Sequence, residues 1–206
     1  MIITSFEKSS KYKDMISVFI DNQYAFSLPE EEYIRLGLYE KGEITEEELD
    51  YIKKEVLLSS AKSKAIKYVS LKLMSEKELF EKLQSKGFDE DTSRIVVEDL
   101  KAMGYINDKI YAQKFVFERS KLKPKSKKML RFELSNRGIS NDIIDEVLDN
   151  FEYDEITIIE RLIRKKFGKY DLTDPKIEKR VFSFLRHRGF SYENIKHGLL
   201  NVCNGE

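Results

Sequence analysis

The chain is short of the residues that staple, kink or bind metal. It has one cysteine, three prolines, nine glycines and two histidines in 206 residues. A single Cys203 excludes an internal disulfide framework. So few Pro and Gly leave little to interrupt helices. His187 and His197 stand ten positions apart with no adjacent Cys or carboxylate cluster, so no metal site is expected. No apolar run approaches the roughly 18 residues of a membrane span. The opening MIITSFEKSS lacks the basic-then-apolar order of a secretory leader. These absences predict a soluble, cytoplasmic protein.

What is present is charge. Lys+Arg and Asp+Glu are equal at 37 each, and hydrophobic residues make up 41% of the chain, enough for folded cores. The balance is uneven along the chain: residues 1–60 carry a net −6, residues 61–120 +2 and residues 121–206 +4. An acidic end and a basic end can face different partners, or both can be solvated surface.

The first 30 residues read as strand. Ile16, Val18 and Ile20 alternate with polar or aromatic neighbours, a polar turn follows at Asp21-Asn22-Gln23, and Tyr24, Phe26 and Leu28 resume the alternation. Ile2, Thr4 and Phe6 can supply a third strand. Pro29 closes this piece, a short helix is expected over 30–38, and Thr45 to Glu48 fits a capping box opening another.

The remainder repeats. Gly87, Gly138 and Gly189 recur every 51 residues. Each has an apolar residue eight positions before it (Leu79, Leu130, Val181), Leu four before (Leu83, Leu134, Leu185), a base one before (Lys86, Arg137, Arg188) and an apolar residue one after (Phe88, Ile139, Phe190). This is the chemistry of a helix ending. One apolar stripe is buried, a cation sits at the negative end of the dipole, and Gly takes the left-handed turn. A second stripe follows at Val97 and Leu100, at Ile144, Leu148 and Phe151, and at Ile195, Leu199 and Val202, with Ser93 the one polar exception. An earlier helix is marked by Ala61 and Ala65, Ala112 and Val116, and Ile163 and Phe167. Ser75, Asp108 and Asp174 before Pro175 are candidate N-caps. The fold class expected is mainly α: tandem three-helix repeats, elongated and modular, behind a small N-terminal β-hairpin and helix extension. The boundaries are 1–58 for the acidic extension, then 59–105, 106–151 and 152–204.

The run Leu73 to Leu79, then Leu83, Lys86-Gly87-Phe88, Leu100, Gly104-Tyr105-Ile106-Asn107-Asp108, Tyr111-Ala112 and Phe115-Val116 resembles the RecX family, bacterial regulators of the RecA recombinase. Arg137 to Ser140 and Arg188 to Ser191 resemble its later repeats. The similarity spans about residues 59–204, and the N-terminus is similar to the extension of some Gram-positive members. The second copy departs most, with Arg131 where the others have Phe80 and Phe182. The resemblance implies tandem three-helix units that lie in the groove of the RecA–DNA filament. It implies modulation, with inhibition the expected sign, of ATP hydrolysis, filament growth and strand exchange in recombination, DNA repair and the SOS response. It also implies no enzymatic activity of the chain's own, no cofactor and no small-molecule substrate. The partners are then RecA and the single- or double-stranded DNA within the filament, and a monomer suffices.

The family offers no short ligand motif, so contact residues come from charge. Lys121, Lys123, Lys125, Lys127, Lys128 and Arg131 form a run with no acid between residues 119 and 132. It can present ammonium groups to phosphate or to acidic protein, or serve as a solubilising linker. Arg161, Lys165 and Lys169 share a helical face opposite Leu162 and Phe167, for which a solvated face is the plainer account. Lys176, Lys179, Arg180, Arg186 and Arg188 form a third group; Arg188 is partly explained by the helix terminus, and Arg186 with His187 is freer to bind. Charge reversal at Lys125, Lys127 and Lys128 is expected to weaken filament binding without unfolding the chain. Catalytic readings find little support. Gly37 and Gly42 have P-loop spacing, but Glu43 stands where Lys must reach phosphate. The alternative is a free-standing, non-specific DNA-binding protein of homeodomain-like units. The acids on the third helices, Asp91, Glu98, Asp99, Asp142, Asp145, Glu146, Asp149 and Glu193, oppose that reading.

Overall fold

The computed structural model describes residues 1–205. They form two compact units, Met1–Asn107 and Asp108–Glu206.

The first unit opens with an antiparallel three-stranded sheet in sequence order: β1 (Ile3–Lys8), β2 (Met15–Ile20) and β3 (Gln23–Pro29). Asp21 and Asn22 turn the hairpin with φ of 49° and 64°. Asp and Asn tolerate this left-handed pair, and it matches the twist of the strands. Val18, Ile20, Phe26 and Leu28 fill the core face together with Leu38, Ile44, Ile52 and Leu57 from the segment that follows. The expected helix over 30–38 is shorter, α1 (Glu30–Arg35), because Gly37 turns the chain at φ 62°.

Helix α2 (Glu46–Tyr51) starts on the anticipated capping box, with Thr45 and Glu48 each accepting from the other's backbone N–H. It runs without a break through a π-helical turn at Ile52–Val56 into α3 (Leu57–Leu71). Ile52 and Leu57 are buried against the sheet, whereas Ala61 and Ala65 lie in the core of the first three-helix bundle. The bundle is completed by α4 (Glu76–Gln84) and α5 (Glu90–Ala102), capped by Ser75 and Asp89.

The second unit holds α6 (Asp108–Leu122), α7 (Lys127–Asn136), α8 (Asn141–Asp149), α9 (Glu155–Phe167), α10 (Pro175–Arg186) and α11 (Tyr192–Asn204). Helix α6 begins at Asp108 itself, one residue earlier than a cap at Asp108 would start it. Helix α8 ends at Asp149, so Phe151 lies past it and packs on Tyr153, with ring centroids 5.8 Å apart. Asp174 caps α10 ahead of Pro175, as its sequence implies.

The 51-residue pattern is a repeated helix ending. Gly87, Gly138 and Gly189 have φ of 94°, 82° and 85°. The N–H groups of Phe88, Ile139 and Phe190 donate back to the carbonyls of Leu83, Leu134 and Leu185, at 3.4, 3.2 and 3.3 Å. Each turn thereby satisfies a carbonyl that the helix leaves open and drives an apolar side chain into the core.

The polar exception is explained by burial without partnership. Ser93 is fully buried and its Oγ has no hydrogen-bond partner. An unsatisfied buried hydroxyl costs about 1–3 kcal/mol. Ser93→Ala is therefore expected to leave stability unchanged or raise it by up to about 1 kcal/mol. A denaturant melt showing a clear loss would mean that the hydroxyl has a partner in solution.

A basic groove in the second unit

Residues 123–126 connect α6 to α7 and are pinned by long-range bonds. The Ser126 N–H donates to the Arg188 carbonyl at 3.0 Å, and the Ser126 Oγ accepts from the Met129 N–H as the cap of α7. Glu155 ties three helix starts together. Its Oε1 accepts from the Lys127 N–H at 2.7 Å and its Oε2 from Asn194 Nδ2 at 3.0 Å. A carboxylate at helix N-termini is favourably placed in their dipole fields. Tyr153 is half-buried beside this connection, and its hydroxyl donates to the Lys125 carbonyl at 2.7 Å.

Burial pushes the Tyr153 phenol up to about 12. The unfolded chain loses this proton near pH 10, before the folded chain does. The stability contributed is therefore whole below pH 10 and falls as pH rises through 12. Tyr153→Phe is expected to lower Tm modestly at pH 8 and to flatten the decline between about pH 10 and 12. Parallel pH profiles for parent and variant would contradict this account.

Pinning the connection brings two distant charge clusters to one place. Lys121 at the end of α6 and Lys123 just past it meet Arg161, Lys165 and Lys166 of α9 and Arg188 across a groove of about 520 Å³, also lined by Leu122, Pro124, Leu162 and Phe184. None of the lining residues is acidic. Lys166 Nζ and the Arg188 guanidinium lie 3.8 and 3.7 Å from the Phe184 ring centroid, and Lys121 Nζ lies 3.9 Å from that of Phe117. Arg161 reaches the Ser120 carbonyl at 3.4 Å. Among the described residues, none of these cations is paired with a carboxylate. Uncompensated cations among apolar side chains concentrate positive potential, which suits a polyanion or an acidic protein surface.

The candidates from sequence thus divide. Lys121, Lys123, Arg161 and Lys165 converge on the groove. Lys125 pairs with Glu133 and Arg131 with Asp145, while Lys127 Nζ donates to the Leu148 carbonyl at 3.0 Å. A reversal at Lys125, Lys127 and Lys128 would therefore also break the Lys125–Glu133 and Lys127–Leu148 contacts, so a change in filament binding would not report on phosphate or protein contact alone. Lys128 and Arg186 are exposed and line a separate groove. Lys169 falls beyond α9, which ends at Phe167, so it does not extend the Arg161–Lys165 face. Leu162 does not oppose that face; it lies in the groove with it. Phe184 was not singled out, and nothing in its spacing marks it. Lys166 was not singled out either, and Arg188 was visible as the base before Gly189 and as one of the third charge group. Arg188 also has the helix-ending role its position implies, since its Nη1 donates to the Phe184 carbonyl at 3.1 Å. Arg137, 51 residues earlier, does the same to Glu133.

Tandem three-helix units carrying a cationic groove define a helical-repeat protein. Three RecX domain models match this chain in order: the first three-helix domain over residues 61–100, the second over 107–148 and the third over 152–199. Relatives named regulatory protein RecX include one from Clostridium botulinum, 31% identical with 99% of this chain and 97% of the relative covered. Another, from Caldanaerobacter subterraneus subsp. tengcongensis, is 35% identical over 94% of each chain. Among solved structures, a crystal structure of regulatory protein RecX aligns with all of this chain and 99% of its own at a TM-score of 0.63 and 22% identity. RecX from Lactobacillus salivarius aligns with 72% of this chain and 97% of its own at 0.60 and 23%. At such identities these two structures speak to the fold. The chain belongs to the RecX family of regulatory proteins. Among its described residues no helix is long and apolar enough to cross a membrane.

Proposed function

We propose that this chain regulates a RecA-type recombinase by binding the RecA–DNA filament, and that it does so as a non-enzymatic, cytoplasmic monomer. The observation that carries the site is the convergence of Lys121 and Lys123 with Arg161 and Lys165 on one groove lined by no acid. The repeats 59–105, 106–151 and 152–204 are the contact units. A filament repeats its surface, and several weak contacts on one scaffold add through effective concentration. Binding that bridges protomers would resist their rearrangement, which makes inhibition of ATP hydrolysis, filament growth and strand exchange the expected sign.

The free-standing DNA-binding reading requires a basic recognition helix. The corresponding helices α5, α8 and α11 carry the acids noted above, and several of these pair with neighbouring cations: Asp99 with Lys62, Asp145 with Arg131 and Glu146 with Lys109. Acidic faces repel phosphate. The deciding experiment titrates the protein into RecA hydrolysing ATP on single-stranded DNA, alongside binding to filament and to bare DNA at one salt concentration. Substoichiometric change in hydrolysis with tighter binding to filament supports the proposal. No effect on hydrolysis with tight, salt-dependent binding to DNA alone overturns it in favour of the DNA-binding reading.

A further inference from the structure

The second groove of this unit differs in character from the first. Phe132, on α7, leaves 61% of its surface in solvent and, among the described residues, stacks on no other ring. With Met129 and Phe190 it lines an open groove of about 550 Å³, to which Lys128 and Arg186 also contribute. None of its lining residues is acidic. The two grooves share the C-terminal turn of α10. Phe184 and Arg188 belong to the basic groove, Arg186 and Gly189 to the aromatic one.

Solubility does not call for an exposed phenyl ring, and a ring does nothing for a phosphate. It does offer a face to a nucleobase, and stacking on aromatic side chains is how single strands are held without regard to sequence. Cations beside the ring can meet the phosphates on either side of the stacked base, and the neighbouring basic groove can take more of the same backbone. A duplex hides its base faces, so the arrangement selects single-stranded nucleic acid.

We propose that Phe132, flanked by Lys128 and Arg186, is a base-stacking subsite for single-stranded DNA. The inference deepens the filament reading by naming which part of the nucleoprotein this surface touches. Its test uses bare DNA, so its failure would leave the ATPase experiment intact, and the reverse also holds.

The experiment compares binding of the full chain to a labelled oligo-dT and to an abasic oligomer of equal length, which has the phosphates but no bases. Phe132→Ala is expected to weaken oligo-dT binding roughly 5- to 100-fold, the range for loss of one stacked base. Binding to the abasic oligomer should be unchanged. The chain has no tryptophan, so Phe132→Trp supplies its only indole. That variant should keep its affinity, and its fluorescence should be quenched by oligo-dT but not by the abasic strand. Equal binding of the two oligomers by the parent, or unchanged oligo-dT affinity in Phe132→Ala with unquenched Phe132→Trp, would overturn the proposal. So would a Phe132→Ala defect seen with filament only, which would assign the ring to a protein contact.

Discussion

Replacing Lys121, Lys123, Arg161 and Lys165 together by glutamine is expected to weaken binding to a RecA filament on single-stranded DNA by about two orders of magnitude at roughly 0.15 M salt. Each phosphate neutralised on a single strand contributes about 0.7 to the slope of log affinity against log salt. Four lost contacts thus remove about 3 from that slope, and at this salt concentration the change amounts to roughly 100-fold. The side chains are exposed and unpaired with carboxylates, so the fold should tolerate the change. A comparison variant with glutamine at Lys13, Lys53, Lys67 and Lys86, all exposed in the first unit, makes the same change in net charge away from the groove. Equal losses from the two variants would reduce the groove to bulk charge. An unchanged slope in the first would remove phosphate from its ligands.

The second large effect is on stability. Gly189→Ala is expected to cost about 2–5 kcal/mol, through two separate terms. At φ of 85° a side chain pays the left-handed penalty of about 1–2 kcal/mol. A Cβ there would also lie 2.6 Å from Ser126 Oγ and 2.9 Å from Met129 Cβ. Ser126 cannot simply move aside, because its hydroxyl caps α7 and its N–H is bonded to Arg188. Overpacking of this kind adds about 1–3 kcal/mol. Gly104→Ala isolates the first term. Its φ is 77° and nothing lies within 4 Å of the added atom. Urea melts should therefore separate the two variants by at least about 1 kcal/mol. Identical costs would mean that backbone strain is the whole effect.

These two predictions rest on features of different legibility. The Gly189 turn could be read from sequence because it is local. A base, a glycine and an apolar residue in succession after an apolar stripe specify a helix ending whatever surrounds it. Three copies at one spacing make chance a poor account of it, and the capping residues Thr45, Ser75 and Asp174 are legible for the same reason. The groove was only half legible. Its cations were visible as clusters, but Lys123 and Lys165 meet because Ser126 bonds to Arg188 and Glu155 gathers three helix starts. Those are backbone-directed contacts between distant segments, and one sequence carries no sign of them. Within the basic run, alternate residues have opposite fates. Lys123 faces the groove, whereas Lys125 turns to Glu133, the first acid beyond the run. That acid was a usable signal. Phe132 gave none, since exposed and buried phenylalanines are the same letter.

The π-helical turn at Ile52–Val56 fixes an angle. An α-helix advances about 100° per residue, and a π turn accommodates one residue more than the α ladder would. At the two edges of the turn the rod directs Ile52 and Leu57 to the sheet; further along α3 it directs Ala61 and Ala65 to the first bundle. Winding the same residues as plain α-helix, with none removed, would rotate everything after them by about 100° against what came before. The sheet and the bundle could then not both keep their apolar faces on the same rod. The wide turn acts as a phase setting between two cores, absorbing a residue that a plain α-helix would turn into a rotation of one core against the other.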